Sequence, residues 1–357
     1  MKRIKYFLIN FRSFLKTKVK FSKPKNAKIM LFDYGNKDIF KKTFNDISVE
    51  VLYIRMELIN FFIIQKAIKL YGIRNFSKNY IKTYIHYVKP KVIITFNELH
   101  PTFYLLKDLI KDKKITYIAI QDGFRTLPNF KNFNLKQKSQ YKADMIFIFS
   151  KKYKELYSKI FNFEKKYLGS FRNNYYKKTK TKNSPIILIS QYRKEYKKNE
   201  KNKYFLRERK LLFFLYKIKK KYKINFLVAS KPGVTKTEYS KTFNLDQNIK
   251  IISSINFKEK YKAIDKSKLT LFMDSTLGME SLSRGNKVVS FPFKPYKNIK
   301  SFFWNCELTY QNFEKKILHL YNMSEKEWLK KIKNNEMFLN YNPGNIILKK
   351  TINRIIK

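Results

Sequence analysis

The chain has 357 residues and carries 79 lysines and arginines against 26 aspartates and glutamates, a formal net charge of +53. Its 44% hydrophobic and 17% aromatic content excludes a disordered chain, and the length allows two domains that each bury a core. One cysteine, Cys306, and three scattered histidines (His86, His100 and His319) exclude a disulfide framework and a cysteine- or histidine-based metal cluster. So positive a field favours anionic partners, a nucleotide or an anionic membrane surface. Nucleic acid is the minority reading, because no RRM, KH, zinc-finger or helix-turn-helix pattern accompanies the charge. Lys, Asn, Ile, Phe and Tyr, all over-used, share A/T-rich codons, so part of the lysine excess reflects composition bias. No apolar run reaches the roughly 18 residues of a membrane span, and Tyr6-Phe7-Leu8-Ile9 is too short for a secretory signal. The expected location is therefore cytoplasmic.

Residues 1–25 place Ile4, Phe7, Leu8, Phe11, Phe14 and Leu15 on one helical stripe among lysines and arginines. A basic amphipathic helix of this kind lies in an anionic membrane interface or packs on its own protein, and both readings stay open. Strands are predicted at Lys28–Asp33, Val49–Ile54, Lys91–Phe96, Ile115–Ile120 and Met145–Phe149. Between them the pattern is helical over Ile59–Leu70, about Ser77–Tyr87, and Thr102–Ile110. The first of these is apolar nearly all round and so is expected to be buried. Strands alternating with helices predict a parallel sheet covered on both faces, in a first domain over 26–171.

Residues 172–184 are polar and lysine-rich and read as a linker. The alternation then restarts with strands at Pro185–Ser190, Asn225–Ser230 and Lys250–Ile252 and a helix over Phe205–Lys220, giving a second domain over 185–310. Residues 311–357 are helical. The stretch Leu269–Phe291 carries the strongest local signal: a short apolar strand, then Asp274-Ser275-Thr276, then a helix closed by Arg284 and Gly285, then a further strand. Arg284 there reads as a cation in the helix's last turn. Ser275 and Thr276 either cap that helix or, with its free N–H groups, hold an anion outside the strand's carboxyl end.

The wording Asp274-Ser275-Thr276-Leu277-Gly278-Met279-Glu280-Ser281-Leu282-Ser283-Arg284-Gly285 resembles the C-terminal-domain signature of GT-B glycosyltransferases. More narrowly, it resembles the surface carbohydrate biosynthesis proteins of bacteria, with Ser281 and Ser283 where alanines are usual. The resemblance covers this stretch well and most of the chain loosely. It implies an α/β fold of two Rossmann-like domains facing each other across a cleft. It also implies transfer of a sugar from a nucleotide-sugar donor to a lipid-linked or oligosaccharide acceptor in lipopolysaccharide or capsule assembly. In such enzymes a C-terminal helix commonly crosses back to the first domain.

Candidate chemistry follows the strand ends. Gln121 and Asp122 sit at the carboxyl edge of the strand ending at Ile120, and Gly123 permits a sharp turn. Gln121, Gly123 and Arg125 match the related family's pattern, while Asp122 stands where Asn or His is more usual. The wording also resembles capsule β-Kdo transferases, in which such an aspartate would act at the anomeric centre. Glu98 and His100 follow the neighbouring strand and converge on Asp122 as parts for activating an acceptor hydroxyl. In the second domain Lys231-Pro232 stands where enzymes using CMP-sugars often have His-Pro; lysine can still neutralise a phosphate, but the change weakens a specific claim for CMP, which stays one option for the donor. Ser275 and Thr276 would hold the donor phosphate and Glu280 the ribose, with Gly278, Gln121 and Arg125 also counted among the donor-binding residues. No Asp-x-Asp or P-loop is present, which predicts metal-independent transfer with no cofactor beyond the donor. The alternatives are a polyol-phosphate transferase of the teichoic-acid type and a non-catalytic basic protein that binds membranes or nucleic acid.

Overall fold

The structure, a computed structural model, describes residues 17–55, 57–179, 184–197, 201–252, 257–293, 302–305, 307–333 and 339–357. The apolar stripe expected in the N-terminal segment, from Ile4 to Leu15, lies outside these residues. Its continuation is not helical, since Lys18–Lys20 form a strand. The chain divides into two compact units, one made of residues 1–175 with 342–357 and the other of residues 176–341.

In the first unit the strands are β1 (Lys18–Lys20), β2 (Ile29–Phe32), β3 (Val49–Leu52), β4 (Leu58–Asn60), β5 (Val92–Thr95), β6 (Thr116–Ile120), β7 (Met145–Ile148) and β8 (Glu164–Tyr167). Six of them form one sheet in the order β3-β2-β5-β6-β7-β8, and every pairing within it is parallel. β2, β5 and β7 are buried at every position, as expected when helices cover both faces and no strand needs to alternate. The helices are α1 (Lys37–Thr43), α2 (Phe61–Tyr71), α3 (Phe76–Val88), α4 (Pro101–Ile110), α5 (Tyr153–Ser158) and α6 (Phe171–Tyr175). Because β2 leads outward to β3 and the chain then returns to β5, the order reverses between β2 and β5. Such reversal points open the crevice in which α/β sheets bind ligands.

The segment 342–357 completes this unit. Leu348, Ile352 and Ile356 of the helix Ile346–Ile356 enter the same apolar cluster as Ile29, Leu31, Val92 and Ile94. The link to α6 is polar. Asn174 Nδ2 donates to Asn345 Oδ1 at 3.1 Å, and Asn174 Oδ1 accepts from the Asn342 N–H at 2.9 Å. The linker read over 172–184 therefore begins too early: residues 172–175 are helical, and Asn173 and Asn174 are buried.

A second correction concerns α2. The helix forms, capped by Asn60 accepting from the Ile63 N–H at 3.2 Å, but only Ile63 and Ala67 are buried. Phe61, Ile68, Leu70 and Tyr71 are exposed. The helix carries more apolar surface than the fold covers.

In the second unit β9 (Ser184–Ile189), β10 (Phe226–Ala229), β11 (Ile251–Ile252), β12 (Ser267–Phe272) and β13 (Val288–Ser290) form a parallel sheet in the order β11-β10-β9-β12-β13. Its helices include α7 (Lys203–Tyr222), α8 (Lys236–Phe243), α9 (Phe257–Lys266), α10 (Thr276–Ser283), α11 (Tyr310–Asn322) and α12 (Glu325–Lys333). The reversal here falls between β9 and β12. Gly278 has a steric role: a Cβ on it would stand 2.3 Å from Cγ of Phe272, so α10 packs this closely on β12 only through a glycine. Arg284, read as a cation in the last turn of this helix, is the C-cap residue of α10. It is buried and clamps Asp265, with Nε 2.7 Å from Oδ1 and Nη2 paired to Oδ2, and Nη1 donates to the Tyr176 carbonyl at 3.0 Å.

Candidate functional site

Each sheet carries a polar cluster at its carboxyl edge. In the first unit the centre is Glu98, just beyond the carboxyl end of β5. Its carboxylate is fully buried and its oxygens are engaged. Oε1 accepts from Arg125 Nε at 2.5 Å and from the Tyr157 hydroxyl at 3.3 Å, and Oε2 accepts from the Asp122 N–H at 3.4 Å. Burial pushes the Glu98 carboxyl above the usual range while the Arg125 guanidinium pulls it back. Arg125, in turn, is held above its ordinary value by Glu98, against burial. Gly123 serves this pair. It does not have the left-handed backbone expected of a sharp turn; instead, a Cβ there would lie 2.5 Å from Arg125 Nη1. Gln121 is likewise consumed by the fold, donating to the Gly123 carbonyl at 2.9 Å and accepting from the Phe149 N–H at 2.8 Å.

Asp122 is different. Its side chain is 39% exposed, and Oδ1 accepts from Asn36 Nδ2 at 2.7 Å. Asn36 Oδ1 accepts from Arg172 Nη2 at 2.9 Å, and Arg172 stands 3.7 Å from Asp122. One amide thus couples a carboxylate to a guanidinium at the surface of the edge.

His100 does not join this group. It sits near Asp33 and Arg55, with its ring 6.1 Å from that of Phe32, and burial holds its imidazole below the ordinary value, hence neutral at pH 7. Its Nδ1 is buried and makes no hydrogen bond. Asp33 is buried at the end of β2 with φ of 90°, a conformation costing a non-glycine residue on the order of 1–3 kcal/mol. It is tied down by the Tyr34 N–H at 2.7 Å, by Arg55, and by Asn97 Nδ2 at 3.5 Å. Asp33, Asn97 and His100 therefore occupy the β2/β5 reversal point, with Asp122 one strand further along.

Sequence reasoning misses Asp33, Asn36, Arg55 and Arg172. The signal for Asp33 and Asn36 is the Asp33-Tyr34-Gly35-Asn36 turn, which stands to β2 as Gln121-Asp122-Gly123 stands to β6; Arg55 and Arg172 carry no local signal.

In the second unit the centre is Glu208 of α7, fully buried. It accepts from the Ser190 hydroxyl, from the Tyr239 hydroxyl at 2.5 Å and from the Gln191 N–H at 2.8 Å. Burial raises its carboxyl, and these hydrogen bonds oppose the shift. Gln191, at the end of β9, then bridges outward. Its Oε1 accepts from Lys231 Nζ at 2.9 Å, and its Nε2 donates to the Asp274 carbonyl at 3.0 Å. Lys231 is thereby fastened to the turn that opens α10, and its ammonium is lowered to about 8, chiefly by burial, with Arg193 adding to the effect.

Ser275 is the N-cap of α10, but its side chain makes no capping bond. The simple capping role read for it is not what the structure displays. Glu280 is buried and accepts from the Tyr261 hydroxyl at 2.8 Å.

A family model described as "putative O-antigen biosynthesis protein" matches residues 118–356, 239 of the 357. No curated protein matches the chain by sequence. Among solved structures, the wall teichoic acid polymerase TagF is 13% identical, with a TM-score of 0.55 over 93% of this chain and 90% of that one. The UDP-GlcNAc 2-epimerase of Methanocaldococcus jannaschii is 14% identical, with a TM-score of 0.52 over 94% and 99%. The architecture is that of GT-B glycosyltransferases and the epimerases that share their two Rossmann-like domains.

Proposed function

The chain belongs to this family of O-antigen biosynthesis proteins, and on that premise we propose that it transfers a sugar from a nucleotide-sugar donor to a growing surface polysaccharide. The observation that carries the reading is the Gln191 bridge, which holds the Lys231 ammonium against the turn entering α10, at the reversal point of its sheet. A cation beside a helix N-terminus whose cap side chain makes no capping bond suits a donor phosphate. In this reading Lys231, Ser275 and Thr276 hold the donor, and Glu280 meets the ribose.

As the bond from the anomeric carbon to the phosphate oxygen breaks, Lys231 and the helix dipole neutralise the departing nucleotide without a metal. The acceptor hydroxyl forms the new bond and gives its proton to Asp122, the exposed carboxylate of the other edge. Glu98, saturated and buried, positions Asp122 through its N–H and Arg125 through the ion pair. His100, held neutral by burial, stands at the β2/β5 reversal point and is a second candidate contact for the acceptor. The transfer takes place at the inner face of the cytoplasmic membrane, on a lipid-linked or oligosaccharide acceptor.

Thermal shift against UDP-, GDP- and CMP-sugars and a CDP-polyol tests the donor. One nucleotide class should stabilise the protein, and the double variant Ser275→Leu/Thr276→Leu should lose that response while staying folded. Stabilisation by the CDP-polyol alone would replace the sugar with a polyol phosphate. Absence of both binding and donor hydrolysis across the panel would make the protein a non-catalytic binder.

A further inference from the structure

The surplus apolar surface of α2 has a definite setting. Between Glu57 and Glu98 the chain carries no carboxylate, while cations recur at Lys66, Lys69, Arg74, Lys78, Lys82 and Lys89. This stretch contains the α2–α3 hairpin, whose two helices pack on one another, with the rings of Phe62 and Tyr87 5.2 Å apart. The turn between them is sharp. Gly72 closes α2 with φ of 69° and Asn75 opens α3 in the left-handed region. Leu70 and Ile73 flank that glycine and are 59% and 76% exposed, among the most exposed large apolar side chains of the described residues.

Beside the tip lies a basic recess of about 490 Å³. Tyr71 forms part of its wall, with Lys82 Nζ 4.9 Å from the Tyr71 ring, and Lys89, Lys91 and Lys114 complete its cationic lining. Its single carboxylate, Asp112, accepts from the Lys114 N–H at 2.9 Å. An apolar tip adjoining a lysine-lined recess matches one partner in both halves: acyl chains below and phosphate headgroups at their boundary. The hairpin also lies outside the residues that the family model covers.

We propose that the α2–α3 hairpin is a bilayer-docking element, with Leu70 and Ile73 entering an anionic phospholipid surface and the Lys82–Lys89–Lys114 recess taking lipid phosphates. It rests on the membrane-face placement given above but not on the transfer chemistry. No helix among the described residues is long and apolar enough to cross a membrane, so the contact is interfacial.

The test is co-sedimentation of the full chain with vesicles of phosphatidylcholine alone or mixed with phosphatidylglycerol. The intact protein should bind the mixed vesicles, bind neutral ones weakly, and be released by salt. Leu70→Ser/Ile73→Ser and Lys89→Glu/Lys114→Glu should each lower binding to mixed vesicles by tenfold or more. Both pairs are exposed, so unfolding temperature and nucleotide-induced stabilisation should not move. Nucleotide response lost in the intact protein would count against the donor assignment alone. If both variants sediment like the intact chain, or only removal of residues 1–16 abolishes binding, the hairpin is not the docking element. The proposal fails equally if light scattering shows the intact protein to be a dimer that Leu70→Ser/Ile73→Ser splits without changing vesicle binding.

Discussion

The two sheet edges are built on one plan and end in opposite chemistry. Each has a fully buried glutamate accepting a tyrosine hydroxyl and the N–H of a residue at a strand's carboxyl end: Glu98 with Tyr157 and Asp122, Glu208 with Tyr239 and Gln191. The remaining partner separates them. Glu98 holds a guanidinium, whereas Glu208 holds the neutral hydroxyl of Ser190. Outside that core, the first edge presents a carboxylate, Asp122, and the second an ammonium, Lys231. Glu98 and Glu208 are framework, and the group each one supports decides what its edge can do. One edge is suited to taking a proton and the other to holding an anion.

The two edges should differ most in the cost of losing the glutamate. Removing one member of a buried ion pair leaves a stranded charge, so Glu98→Ala should cost about 3–5 kcal/mol in urea unfolding. Glu208→Ala strands only neutral donors and should cost about 1–3 kcal/mol. Equal losses would mean that the Arg125 partnership does not distinguish the two. Next in size is Asp122→Asn, which should lower turnover roughly 100-fold, the scale of a lost general base, while nucleotide-induced stabilisation persists. Near-normal turnover is the result that would make Asp122 a positioning group.

Gly278→Ala sharpens the second edge. The added methyl must displace the Phe272 ring, and overpacking of this kind costs about 1–3 kcal/mol. A lower melting temperature with nucleotide affinity retained would assign Gly278 to packing rather than to phosphate contact. The smallest effect is the pH dependence of Lys231. Its ammonium form prevails below about 8 and is lost above it. Binding of an anion needs that form, so donor affinity should fall as pH rises through this region, by at most about tenfold per unit for one proton. Titration calorimetry should show the fall flattened in Lys231→Ala.

Much of the fold is legible in the sequence because parallel strands buried on both faces announce themselves as unbroken apolar runs. The runs ending at Phe32, Ile120 and Ile148 are examples. The ends of such runs then point to Asp122, Glu98 and Lys231. What the sequence withholds is burial and long-range pairing. Glu98 and Asp122 look alike as strand-end acids, and only the fold makes one framework and leaves the other open. The Asn36 amide meets Asp122 across 86 residues and Arg172 across 136, separations that no local pattern encodes. Asp33 becomes visible only with the strand order, which puts it at the reversal point. The apolar composition of α2 is plain, but composition does not say which faces a neighbouring element will cover.

The return of residues 342–357 to the first unit has a consequence for how the protein comes into being. The second unit is an insertion, so its sheet can close as soon as residue 341 has been synthesised. The first unit must wait with its strands made and the place of Leu348, Ile352 and Ile356 unfilled while 166 intervening residues are added. During that interval its apolar sheet face is open to water and to other chains, the situation in which nascent proteins aggregate or engage chaperones. The half that emerges first is the half that matures last.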